Sequence, residues 1–146
     1  MAPQKLPDGS HIARHCGHQK VHFEKGVVFP EAFALQEKDD GYLSASWLEF
    51  FAGDETERLR ATANSMRQAG RKLGPNSALT LLSADRVRTS ARELHNTPLR
   101  TLHEPEPLPG NPAYAVVRGY REGASERFLH DVFCLNCVSV TRVGDL

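Results

Sequence analysis

The sequence predicts an α+β fold: one compact domain with a mixed or antiparallel sheet packed by two or three helices. Three observations carry this. Apolar residues make up 40% and charged residues 25% of 146 positions, the composition of a globular chain long enough to bury one core. Stretches with apolar residues near period two interleave with stretches near period 3.6. The early strand candidates are joined by short turn signals, which suits hairpins better than crossovers.

Residues 1–10 contain Pro3, Pro7 and Gly9 and read as a flexible N-terminal tail, leaving 11–146 as the domain. HIARHC then opens regular structure. As a strand it places Ile12, Arg14 and Cys16 on one face and His11, Ala13 and His15 on the other. As a short helix from Ser10 to Gly17 it sets His11 and His15 one turn apart. The run is too short for periodicity to separate the two, and a structural first strand is the preferred reading. In VVFPEAFALQ, Phe29, Phe33 and Leu35 approach period two, predicting a strand with a proline at its edge. EKDDG is a turn in which Gly41 supplies positive φ. YLSAS resumes extended structure. Ser46 and Glu49 then match a capping box, so WLEFF is expected to open a helix.

Asp54 and Glu57 form a second capping signal. Leu59, Ala63, Met66 and Leu73 continue it as an apolar stripe, Gly70 weakens the helix by up to ~1 kcal/mol, and Gly74-Pro75 stops it, giving a helix over 54–73. ALTLL suits a buried strand. Asp85 is positioned to cap a helix with Val87, Ala91 and Leu94 on one face. LRTLH is a further strand, EPEPLPGNP a loop, and AYAVVRGY a strand. Ser125 caps a final helix expected to run through FLHDVFCLNCV. The strands from His11 to Ser46 thus form part of a sheet, the 54–73 helix crosses it, and the C-terminal helix closes the far side.

Lysine plus arginine and aspartate plus glutamate balance at 18 each, which removes any global attraction to nucleic acid or to an anionic membrane. Arg58, Arg60, Arg67, Arg71 and Lys72 crowd one segment and read as the solvated side of its helix. No stretch approaches the ~20 apolar residues of a membrane span, and no apolar signal region stands at the start. Three cysteines, an odd number, fit reduced thiols in a cytoplasmic protein.

Four groups of residues could carry function. His15 and Cys16, with His11 and His18 close by, could meet Cys134 and Cys137 around a zinc ion, since imidazoles and thiolates suit a tetrahedral site. Against this, Cys134-x-x-Cys137 lies in an apolar stretch, where free cysteine behaves as a small hydrophobe. His95, His103, Tyr114 or Tyr120 could do acid–base work near the proline-rich loop, although nothing in the linear order joins them. Cys16 could be activated by a neighbouring imidazolium, but a buried structural thiol is the simpler reading. Trp47, Phe50 and Phe51 form an aromatic group that either anchors a core or presents an interaction surface.

Arg14, Ser44-x-Ser46 and Glu104-x-Glu106 occur in the order found in arginine–serine–glutamate ADP-ribosyltransferases, and in this the chain resembles that class. The resemblance implies an NAD-type ligand. Arg14 would hold its phosphates, Ser44 would order the nicotinamide–ribose pocket, and Glu104 would steady the developing oxocarbenium ion. Pro105 and Pro107, which alternate with the glutamates, depart from a strand at that place. A second resemblance covers most of the chain: HIARHC, PEAFAL, YLSASWLEF and NPAYAVV look like a family of uncharacterised bacterial proteins, with Tyr114 standing where a histidine is expected. It implies a bacterial, cytosolic, single-domain protein.

The leading expectation is therefore a small accessory or protein-interaction domain with a protein partner and no resident cofactor, compatible with self-association. The second is a nucleotide- or NAD-utilising enzyme acting through Arg14, Ser44 and Glu104. The third is a zinc-stabilised module.

Overall fold

The computed structural model describes residues 2–36, 39, 41–107 and 110–146. The chain forms a single α+β domain, a seven-stranded sheet with three α-helices among the described residues. Its strands are β1 (Gln4–Lys5), β2 (His11–Cys16), β5 (Tyr42–Trp47), β6 (Ala78–Ser83), β7 (Arg100–His103), β8 (Tyr114–Arg118) and β9 (Cys137–Arg142), in the order β1-β7-β8-β5-β2-β6-β9. Every pairing is antiparallel. A separate ribbon pairs β3 (Val21–His22) with β4 (Val27–Val28).

HIARHC is a strand, and its alternation divides the molecule. Ile12 and Cys16 enter the larger core, where the partners Leu82 and Ala78 lie across β6. There α2 (Ala84–His95) contributes Val87 and Ala91, α3 (Glu126–Val132) contributes Phe128, Leu129 and Val132, and Phe33 stacks on Phe133 with ring centroids 4.8 Å apart. On the opposite face, α1 (Glu55–Gln68) lays Leu59, Ala63 and Met66 over Ala13, Leu79 and Leu81. Full burial of a side chain of this kind is worth about 1.5–3 kcal/mol.

The expected Asp54–Glu57 capping box is present with both of its hydrogen bonds. The helix ends at Gln68 rather than 73, because Gly70 turns the chain at φ 89°. Ser83, not Asp85, caps α2 by accepting from the Arg86 amide. Asp85 instead accepts from Gly9 N at 2.8 Å and pairs with Arg88. Gly119, at φ 121°, closes the end of β8 against the loop before β7. A Cβ there would lie 2.4 Å from the Pro98 carbonyl oxygen.

Several expectations are corrected. Gln4–Lys5, read within a loose tail, form the short edge strand β1, and the following Leu6 is buried against the core with its amide on Thr101 O. In VVFPEAFALQ only Val27–Val28 is a strand; Pro30–Phe33 coils into a 3-10 helix that buries Phe33. Pro30 has no N–H to give a ladder and suits a helical first position. Ser46 lies inside β5, and Leu48–Phe50 is a 3-10 turn with no side-chain cap. The last helix stops at Val132, and a 3-10 turn over Cys134–Asn136 leads into β9, so Cys137 lies in a strand. Within EKDDG, Glu37, Lys38 and Asp40 lie outside the described residues, as do Leu108 and Pro109 of the proline-rich loop; Gly41 has the expected positive φ.

Asn111, fully buried, ties three segments together: its carbonyl accepts from Ser65 Oγ (2.7 Å) and Ala113 N (2.9 Å), and its amide donates to Ser46 Oγ (3.0 Å). On β9, Leu81 faces Ser139 while Leu82 faces Cys137, so Val138 is an extra, bulged residue, 55% exposed.

Candidate functional site

β2 and β5 pair only through Ile12 with Trp47 and Ala13 with Ser46. Beyond these rungs the strands part, and a main-chain carbonyl in such a gap needs another donor. Arg14 supplies it. Its Nη1 donates to Ser44 O at 2.8 Å, and its Nε donates to Ala32 O at 3.1 Å, so two carbonyls from separate segments fix the guanidinium. No carboxylate pairs with Arg14 among the described residues.

The gap opens as a cavity of about 170 Å³ lined by Arg14, His15, Ser44, Ala45, Met66 and Arg71. Arg71 arrives from the positive-φ turn that follows α1. Its guanidinium lies 5.2 Å from the Tyr114 ring centroid and 3.8 Å from Glu106. Ser44 Oγ and the Tyr114 hydroxyl are 2.7 Å apart. Burial, above all, pushes the Tyr114 phenol up to about 12, so at neutral pH it is a protonated hydroxyl.

His15 has a definite tautomer. The single hydroxyl proton of Ser77 goes to Gly74 O at 2.6 Å, because a carbonyl can only accept. Ser77 Oγ must then accept from His15 Nε2–H, 2.9 Å away. Burial, followed by the positive charges of Arg14 and Arg71, lowers the His15 pKa. The result is a neutral ring with its lone pair on Nδ1, which has no partner among the described residues. Arg14, Arg71, Ser44 and a neutral His15 therefore line one small space, with the Tyr114 hydroxyl bonded to Ser44 beside it. Such a set can hold an oxyanion through the arginines and accept a proton at His15.

The ADP-ribosyltransferase-like trio is only partly assembled. Arg14 reaches Ser44 through the main chain. Glu104, immediately after β7, is gripped by Arg118 through two hydrogen bonds of 3.0 and 3.1 Å, while Arg118 lies 4.6 Å from the Tyr42 ring centroid. Glu104 is not among the residues lining the cavity.

The zinc set is not brought together. His15 and Cys16 point to opposite faces of β2, and Cys16 is buried with its sulfur 3.5 Å from Thr80 Oγ1. Among the described residues no group of three or more His, Cys, Asp or Glu is placed to hold a metal ion. Burial raises all three thiols, Cys134 to about 12 with Cys137 as the next contributor, so they are thiols rather than thiolates. His11 is taken by Glu49, Nδ1 to Oε2 at 2.8 Å, the same glutamate expected in a capping box.

The other histidines and tyrosines are dispersed. His95 on α2 bonds Asp131 on α3 at 2.9 Å, His103 Nε2 bonds Pro112 O at 2.8 Å, and the Tyr120 hydroxyl donates to Phe33 O. Trp47, Phe50 and Phe51 do cluster, joined by His103: Trp47 lies 5.1 Å and Phe50 5.7 Å from that ring, and Phe50 is 40% exposed.

The place of Arg71 and His15 together at one cavity is not readable from the sequence. In the sequence Arg71 reads as one more cation on a solvated helix side, and the signal against this is Gly70, whose positive φ turns the chain just before it. Comparison with family models, with curated proteins and with solved structures finds no match for this chain.

Proposed function

We propose that the protein is a binding domain for a small oxyanion-bearing molecule, held in the cavity between β2 and β5. Arg14 and Arg71 grip the anion, and His15 Nδ1 accepts a hydrogen bond or proton from a ligand hydroxyl. The observation that carries this is Arg14: a guanidinium fixed by two carbonyls, without a carboxylate partner among the described residues, beside a second arginine at a cavity. A fixed cation of this kind loses little side-chain freedom when an anion arrives. At about 170 Å³ the space suits a phosphate or carboxylate group. Sites for drug-sized ligands span about 300–1,000 Å³, so a whole dinucleotide does not fit. Together with the engagement of Glu104 by Arg118, this weighs against NAD chemistry at Arg14, Ser44 and Glu104.

The test is thermal unfolding with inorganic phosphate against chloride at matched ionic strength. A ligand at 100 times its Kd adds about 2.7 kcal/mol. Over 146 residues at ~2.1 cal/mol/K each, that is a rise of about 9 °C. The rise should disappear in Arg71→Ala and shrink strongly in Arg14→Gln. No phosphate-specific rise, or one unchanged in both variants, refutes the reading.

A second reading, a protein-interaction surface at Trp47, Phe50 and Phe51, is favoured by the exposure of Phe50 and by the Trp47 Nε1–H, which is buried without a protein acceptor among the described residues. Phe50→Ala, which leaves the core intact, separates it by abolishing a change in sedimentation with concentration.

A further inference from the structure

A second cavity, of about 370 Å³, lies between α2 and β7 and is lined by Lys5, Arg88, Arg92, Pro98, Leu99, Arg100, Thr101 and Leu102. We infer that it binds a small phosphate monoester with an apolar body, at a site separate from the β2–β5 gap. In a chain whose charges cancel overall, four cations surround one concavity. Only Arg88 among them pairs with a carboxylate, Asp85, among the described residues. Arg88 is also bonded to the buried Thr101 hydroxyl, so its fork is held in place before any ligand arrives. Asp85 carries the tie further, since it also accepts from Gly9 N and so secures the segment that carries Lys5 against α2.

The wall chemistry specifies more than an anion. Pro98, Leu99 and Leu102 supply apolar lining, and the cations Lys5, Arg92 and Arg100 are exposed. A cavity of this volume falls within the range of small-molecule sites, which combine apolar walls with a few placed polar groups. An apolar body would displace water from Pro98 and Leu102, while its phosphate takes the arginine forks, the geometry that guanidinium matches best.

The probe is 1-naphthyl phosphate, titrated by calorimetry into the full chain. One-to-one binding is expected. It should weaken at least tenfold in Arg92→Gln/Arg100→Gln, whose exposed positions leave the fold intact by circular dichroism, and again in Lys5→Gln from the opposite wall. 1-Naphthol, which lacks the anion, and inorganic phosphate, which lacks the apolar body, should each bind at least tenfold more weakly. Arg71→Ala should leave the titration unchanged, which separates this site from the one proposed above. Absent binding, equal binding of naphthol or of inorganic phosphate, or undiminished binding by the Arg92/Arg100 variant each overturns the inference. So does loss of binding in Arg71→Ala.

Discussion

Replacing Asn111 by alanine tests the buried polar network that holds the loop between β7 and β8 against α1 and β5. Asn111, Ser46 and Ala113 have no exposed surface and Ser65 only 4%, so water cannot replace the lost partners. Truncation strips the acceptor from Ala113 N–H, at about 1–3 kcal/mol for an orphaned buried donor. It also removes the partners of Ser65 and Ser46, at about 1 kcal/mol each. The expected loss is about 3–5 kcal/mol. With an unfolding entropy of about 0.3 kcal/mol/K for a chain this long, the midpoint should fall by about 10–16 °C. Ser65→Ala leaves the carbonyl bonded to Ala113 N and should cost about 1 kcal/mol, or roughly 3 °C. Scanning calorimetry on the two single variants and the double variant measures the coupling, expected at about 0.5–1.5 kcal/mol because the bond is shared. A drop below about 4 °C for Asn111→Ala, or strict additivity with Ser65→Ala, would show that these hydrogen bonds are not what fixes the loop.

Two further outcomes concern titratable groups. His15 has a folded pKa below its ordinary value of 6.5, so on acidification the unfolded chain takes up the proton first. Stability from this group is complete above about pH 6.5 and is lost as pH falls towards the folded pKa. Melting curves between pH 7.5 and 5.5 should steepen for the native chain and flatten in His15→Gln, and parallel curves would contradict the burial of a neutral ring. Cys16, Cys134 and Cys137 are all held above the usual thiol range. Ellman's reagent at pH 7.5 should therefore label the folded protein far more slowly than free cysteine, with all three thiols appearing in denaturant. Rapid labelling of any one of them in the native state would refute this assignment.

Much of the architecture was legible because side-chain period reports which face is buried. HIARHC, YLSAS, ALTLL, LRTLH and AYAVV all became strands, and the Asp54 box became a helix start. The failures have identifiable causes. β9 was hidden because CVSVTR follows α3 without glycine or proline to mark a break, and Cys134 and Val132 kept the apolar content of a helix. β1 has only two residues and owes its place to pairing with β7, which no local pattern announces. At Pro30–Phe33 an apparent period of two came from a 3-10 turn that buries Phe33. The candidate site was visible in part. Arg14 and Ser44 stood out as residue types, but Arg71 and Tyr114 come from distant segments, and their convergence depends on where α1 ends and how β5 pairs with β8.

The bulge at Val138 bears on how the molecule behaves when crowded. β9 is an outer strand, and a straight edge strand with a Val-Ser-Val-Thr run at its centre is a template on which other chains can add and grow into filaments. One surplus residue breaks the spacing of amide and carbonyl groups that an incoming strand would have to match, and it bends the rim away from flatness. Deleting Val138 would restore that spacing, so concentrated solutions of the shortened chain are expected to turn turbid where the parent stays clear.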